Sequence, residues 1–374
     1  MSAAIHPRTL PSLNGWRAVS ILLVLLFHTG MVAGFPTAYA HLVFTVFDGN
    51  LGVRFFFVIS GFLITWLMLK EEAQNQSLSL KNFYVRRTLR IWPVYLACLL
   101  VLAAFQFTGA FPQHPSAWRG LLTFTRNFYN PWAGSGNDVF SAHCWSLSVE
   151  EQFYVAWPVM FCLLRGKGRA GFLLATIALS WGFKMIDATG AYDRHWKVWF
   201  QPYSTFAYMD CLAWGCLAAI VFLRRRDQLE AIFLRSGTAL SVGALILIIA
   251  PAAVDFGKSI QPVAFTVLLL HSVLCPGWTP FRILNLRWMD RLGVLSYSIY
   301  IWQQLVQLLW PHSLGVVWFL WLPATVGIAW LSYRFLERPF VRLRSKFRDP
   351  HTKLSALVDR ENLKPASPAD LAKT

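Results

Sequence analysis

Negative charge is scarce in this sequence. Its 374 residues hold 18 Asp and Glu against 34 Lys and Arg, and only 14% of the chain is charged, where a soluble domain carries about 25%. Mean hydropathy is +0.46 and 56% of residues are hydrophobic, which excludes an ordinary water-soluble globule. Cysteine is also sparse. There are six, five of them in or beside apolar runs, and only Cys144 sits in a polar stretch. No Cys-x-x-Cys or comparable ligand spacing occurs, which argues against a disulfide framework, a structural zinc or any other bound metal. An aromatic-rich basic domain apart from the apolar runs is lacking too. The net charge of +16 is therefore read as the loop signature of a membrane protein rather than as a nucleic-acid surface.

What the chain has is long apolar runs. A membrane helix needs about 20 mostly apolar residues. Ten runs qualify as candidates: 17–35, 51–69, 91–110, 146–164, 170–186, 203–222, 237–254, 261–277, 294–311 and 317–335. With both termini placed inside, the inner segments carry 27 Lys and Arg and the outer segments 5, and the alternation holds at every loop. The expectation is an all-α polytopic membrane protein of about ten transmembrane helices with both termini cytoplasmic. The 18 Trp suit interfacial belts and interhelical packing. Ala38-Tyr39-Ala40 resembles a leader cleavage site, but Pro36 and the position of the run favour a signal-anchor pattern. The connection 111–145 contains AWRGLLTFTRNFYN, too polar for a clean span and suited to a surface or re-entrant helix. Residues 1–340 are expected to form one membrane domain. Residues 341–374 are expected to form a basic cytoplasmic tail, disordered at its end.

Ionisable side chains inside apolar runs are costly and mark candidate sites. Arg17 and His28 are eleven residues apart in the first run. On a helix they share a face about 16 Å apart, and a neutral imidazole there can take a proton from a hydroxyl. A histidine bonded to a neighbouring helix and a topology-setting arginine remain the alternative. Arg54 lies in GVRFFFVISGFLI, whose Ser60 and Gly61 permit close approach of a helix or a ligand; snorkelling and packing are the alternative. Arg86, Arg87 and Arg90 cluster before the third run, and Arg87 and Arg90 share a helix face. Such a pair suits phosphate through forked hydrogen bonds, although topology also calls for arginines there. In WSLSVEEQFY, Ser148-x-x-Glu151 fits a capping box, which leaves Glu150 to orient or charge-balance His28. Lys184, Asp210, His271, Gln303 and Gln304 fall within apolar runs and are expected mainly to make interhelical bonds.

Taken together, these stretches closely resemble the membrane acyltransferase-3 family, of the O-acetyltransferase type that modifies cell-surface glycans. The resemblance covers roughly residues 10–342, in order. It is carried by Arg17-x10-His28, GVRFFFVISGFLI, RTLRIWP at 87–93, WSLSVEEQFY at 145–154, YMDCLAWGCLAA at 208–219, LGVLSYSIYIW at 292–302 and FLERP at 335–339. The resemblance implies a core of roughly ten helices that takes an acyl group from a cytoplasmic acyl-CoA, by default acetyl-CoA, as substrate with no bound cofactor. The group passes to a hydroxyl on an envelope glycan, a lipid-linked sugar or a small metabolite. The same resemblance implies a multi-pass protein of the plasma (inner) membrane, with membrane lipid and no nucleic acid as partner. By residue it makes His28 the base and Arg17 its companion, with Arg87 and Arg90, beside Arg86, at the donor site. Ser146, Ser148, Glu150 and Tyr154 would line the site, with Arg54 and Ser60 nearby. Gln303 stands where many members carry His, so no proton transfer is assigned to it. No esterase-like domain follows, so transfer would be completed alone or with a partner. The competing class is a transporter or flippase of a polar lipid, disfavoured by the lack of an internal repeat.

Overall fold

The computed structural model describes residues 10–36, 38–40, 49–129, 136–189, 203–249, 259–310 and 317–347. Among these the chain is helical, with no strand. The helices are α1 (Leu13–Thr29), α2 (Gly49–Asn75), α3 (Leu80–Thr108), α4 (Pro115–Leu122), α5 (Cys144–Leu163), α6 (Lys167–Thr189), α7 (Thr205–Arg224), α8 (Arg226–Ile249), α9 (Gln261–Leu274), α10 (Arg287–Leu308) and α11 (Trp321–Ser332). A π-helical turn, Tyr333–Glu337, joins α11 to α12 (Arg338–Leu343).

A helix occupies each of the ten expected places, but not every one is a full apolar span. Among the described residues, six helical stretches are long and apolar enough to cross a membrane. A seventh counts if the pair Gln261–Leu274 and Thr279–Asn285, bent by 84°, is one span. The shortfall has a physical cause. Helix α1 is short, at 17 residues. Helices α5 and α10 carry Ser, Glu, Tyr and Gln side chains, which dilute their hydropathy. Among the described residues of the polar connection 111–145 no helix is long enough to cross. Within it α4 is eight residues long, and Arg126, 1% exposed, donates to the carbonyl of Asp138 at 3.2 Å. Beyond residue 347 the expected tail lies outside the described residues.

Close backbone contact holds the bundle together. Gly61 of α2 and Gly215 of α7 face one another. A Cβ on Gly61 would stand 2.0 Å from the Leu212 carbonyl oxygen, and one on Gly215 would stand 2.1 Å from that of Val58. Only hydrogen fits there, which is how apolar helices gain contact when lipid supplies no hydrophobic drive. Gly215→Leu is expected to cost about 3 kcal/mol through overpacking, read as a lower thermal midpoint in nanodiscs.

Polar groups between helices are paired much as expected. Lys184 of α6 meets Asp210 of α7 at 2.7 Å, and Trp181 Nε1 donates to the same carboxylate at 3.2 Å. His271 of α9 shares a 2.7 Å hydrogen bond with Ser241 of α8. Asp210 is fully buried, so Asp210→Ala would strand a cation. The expected loss is about 2–3 kcal/mol, and Lys184→Met in the same chain should recover most of it.

Candidate active site

Five helices enclose a cavity of about 90 Å³. Arg17 comes from α1, Ser60 from α2, Arg87 and Arg90 from α3, Glu150 from α5 and Tyr300 from α10. Helix α3 begins at an N-cap, where Ser79 accepts from the Asn82 amide at 3.3 Å. That start sets Arg87 and Arg90 on neighbouring positions of one face, two to three turns in. Ser60 and Gly61 are adjacent, so the glycine contact with α7 fixes the height of the serine.

The charge in the cavity is unbalanced. Arg17, Arg87 and Arg90 form no hydrogen bond or direct ion pair with a described residue. Arg87 lies over the Tyr154 ring at 5.2 Å and the Phe83 ring at 5.7 Å. Among the described residues, Glu150 is the carboxylate that lines the space, and one of its oxygens accepts from both Ser60 and Tyr154. Three guanidiniums around one hydrogen-bonded carboxylate make an anion seat with donors in reserve. The opposite wall is hydroxylic. Ser146 Oγ and Tyr300 OH are 2.6 Å apart, and Tyr300 also donates to the His143 carbonyl at 2.9 Å.

A family model described as an acyltransferase domain matches residues 10–335. The chain belongs to the acyltransferase-3 family. Curated relatives agree with this. SACOL0978, a Staphylococcus aureus (strain COL) protein provisionally named an O-acetyltransferase, is 28% identical over 365 residues, 89% of this chain and 57% of that protein. The O-acetyltransferase OatA of Staphylococcus aureus (strain NCTC 8325 / PS 47) is 26% identical over 366 residues, with the same two shares, 89% and 57%. The chain thus spans little more than half the length of the curated relatives it matches. No solved structure matches it.

The acyltransferase-3 motifs do not all converge on the cavity. Arg17, Ser60, Arg87, Arg90, Ser146, Glu150 and Tyr154 line it. Arg86 does not; it pairs with Glu71 at 2.6 Å and donates to the Phe347 carbonyl at 3.1 Å. Arg54 is buried one residue from the cavity-lining Val53, on another face of α2. Ser148 supports the fold: it accepts from the Arg126 amide at 3.2 Å and donates to the Cys144 carbonyl at 3.1 Å. Nor does Ser148 begin a capping box. Helix α5 starts at Cys144, after an N-cap His143 without a side-chain cap bond.

His28 sits in the last turn of α1, outside the cavity lining. Its Nδ1 lies 2.8 Å from the Val24 carbonyl oxygen. A carbonyl only accepts, so Nδ1 carries the proton and Nε2 presents its lone pair. Glu150 is engaged with Ser60 and Tyr154 instead of the imidazole. His28 has His143 within electrostatic reach. Ser296, Tyr297, Tyr300 and His143 escaped the sequence reading. The i, i+4 spacing of Ser296 and Tyr300 inside LGVLSYSIYIW was the available signal.

Proposed function

We propose that this protein is an integral membrane O-acyltransferase. It takes an acyl group, acetyl by default, from cytoplasmic acyl-CoA and passes it to a hydroxyl of a cell-envelope glycan or lipid-linked sugar. It does so from the plasma membrane, through ten spans with both termini inside. The observation that supports the reading is the cavity where Arg17, Arg87 and Arg90 meet without a direct ion pair to any described residue. A nucleotide phosphate has the charge and the acceptor oxygens that this seat lacks. Arg87 and Arg90 hold the donor; Arg86, tied to Glu71, only adds to the positive field at the mouth.

From that seat the thin pantetheine arm runs between the helices toward His28, about 16 Å along α1 from Arg17. The acceptor oxygen attacks the thioester carbonyl, and its proton passes to His28 Nε2, the nitrogen left free by the bond to Val24. The C–S bond breaks as the C–O bond is completed. The thiolate leaves and takes up the proton, which returns the imidazole to its neutral form. Ser60 and Tyr154 hold Glu150 in place, so the carboxylate offsets part of the arginines' charge without closing on them.

The test is mass spectrometry of envelope glycans and lipid-linked sugars from cells with the gene deleted, restored, and restored as His28→Ala at matched expression. An acyl-sized mass that depends on the gene and on His28 is the expected result. A mass that survives His28→Ala removes His28 as the essential base. No acylated product in any fraction removes the glycan acceptor and favours transport of a polar lipid.

A further inference from the structure

The connection between α9 and α10 carries side chains that neither the cavity nor the core uses. Its helical elbow, Thr279–Asn285, bends by 84° from α9. Helix α9 packs against α2, α7 and α8, each long and apolar enough to cross a membrane. An elbow at nearly a right angle to a helix so placed runs along the end of the bundle, in the plane of the membrane surface.

The elbow has two faces. Phe281 and Leu284, three residues apart, are buried. Phe281 meets the Trp16 ring edge-on at 6.2 Å and the His271 ring at 4.9 Å. The head of α1 locks this face in place. A Cβ on Gly15 would stand 2.2 Å from the Leu284 carbonyl oxygen, and the Ser12 amide donates to Asn285 Oδ1 at 2.8 Å. The other face is bare. Ile283 is 51% exposed and Trp288, at the start of α10, 53%, with Leu286 exposed between them. Beside them stand Arg282, Arg287 and Arg291, all exposed. Arg282 Nε donates to the Gly277 carbonyl at 3.1 Å. Arg287 and Arg291 share a face of α10 and form no hydrogen bond or ion pair with a described residue. The carboxylate among them, Asp290, accepts from Asn14 Nδ2 at 2.8 Å.

We infer that this bare face is a seat for an anionic phospholipid. Ile283, Leu286 and Trp288 meet the acyl boundary, and the three arginines meet the headgroup. An apolar edge beside cations, lying in the surface plane, is the pattern of an interfacial segment, and tryptophan favours that depth. Guanidinium forks fit phosphate oxygens. A zwitterionic headgroup brings its own cation, so three arginines select a lipid of net negative charge. The elbow is fixed on α1 before any lipid arrives, so little ordering is lost on binding. Lipid of some kind surrounds any membrane bundle; this inference adds a headgroup class and a place, and it stands apart from the acyl-transfer reading.

The test titrates the full chain in detergent with phosphatidylglycerol and with phosphatidylcholine of the same acyl chains, read by native mass spectrometry. Wild type is expected to hold phosphatidylglycerol at least tenfold more tightly. The elbow variant, Arg282→Gln with Arg287→Gln and Arg291→Gln, should lose that preference at an unchanged melting point, since all three side chains are exposed. A control with the same charge removed elsewhere, Arg225→Gln with Arg226→Gln and Arg235→Gln, should keep it within twofold. Equal retention of the two lipids by the wild type overturns the seat. So does an elbow variant that still prefers phosphatidylglycerol, which would put the lipid elsewhere, the arginine cavity included, or a control that loses as much. Hydrogen exchange of the wild type needs no variant. Residues 279–291 should exchange more slowly in nanodiscs of phosphatidylglycerol than of phosphatidylcholine, while residues 226–235 do not. Equal exchange over 279–291, or equal slowing of both stretches, also overturns the seat.

Discussion

Changing Arg87 and Arg90 together to alanine is expected to raise the acyl-CoA concentration for half-maximal turnover about a hundredfold. A charged hydrogen bond contributes about 1.5–3 kcal/mol, and each 1.4 kcal/mol is tenfold in affinity. Two such losses, discounted because Arg17 still faces the cavity, give roughly that factor. Lysine at both positions should restore part of the affinity, since it returns the charge without the fork. Arg86→Ala is expected to shift affinity far less, because Arg86 is held by Glu71 outside the seat. Direct binding of acyl-CoA to purified protein separates these variants. Unchanged affinity in the double variant would remove the phosphate assignment.

His28→Ala should act on the other kinetic constant. Loss of a positioned general base lowers turnover by roughly 10²–10⁴, while acyl-CoA binding stays near the wild-type value because His28 lies outside the arginine cavity. His28→Gln is the sharper probe. A glutamine can still hydrogen-bond but cannot accept a proton at neutral pH, so it should be as inactive as alanine. Activity in the glutamine variant would reduce His28 to an orienting role.

The motifs in the sequence located most of the cavity, for a physical reason. Charge inside an apolar run is expensive, so Arg17 and Glu150 stood out, Arg87 and Arg90 stood out as a cluster on one helix face, and all four line one space. Neutral polar groups were harder to see. Tyr297 and Tyr300 look like ordinary membrane aromatics until α10 is placed beside α5. His143 was passed over because its polar surroundings suggested a loop, whereas it is 4% exposed at the head of α5. Arg86 misled in the other direction. Its neighbours at 87 and 90 face inward, but Glu71, from the preceding helix, turns it away. The pairing of Glu150 with Ser60 was not legible either, since it joins residues ninety positions apart.

Gly61 and Gly215 bring the backbones of α2 and α7 nearly into contact. That side of the cavity is a fixed wall, and Ser60 rides on it. The facing wall lacks such a contact at one turn. Helix α3 carries Pro93 in its interior, three residues beyond Arg90, and a proline there removes a helical hydrogen bond. On the function proposed above, the arginines that hold the donor therefore sit beside the one turn of α3 that lacks a helical hydrogen-bond donor.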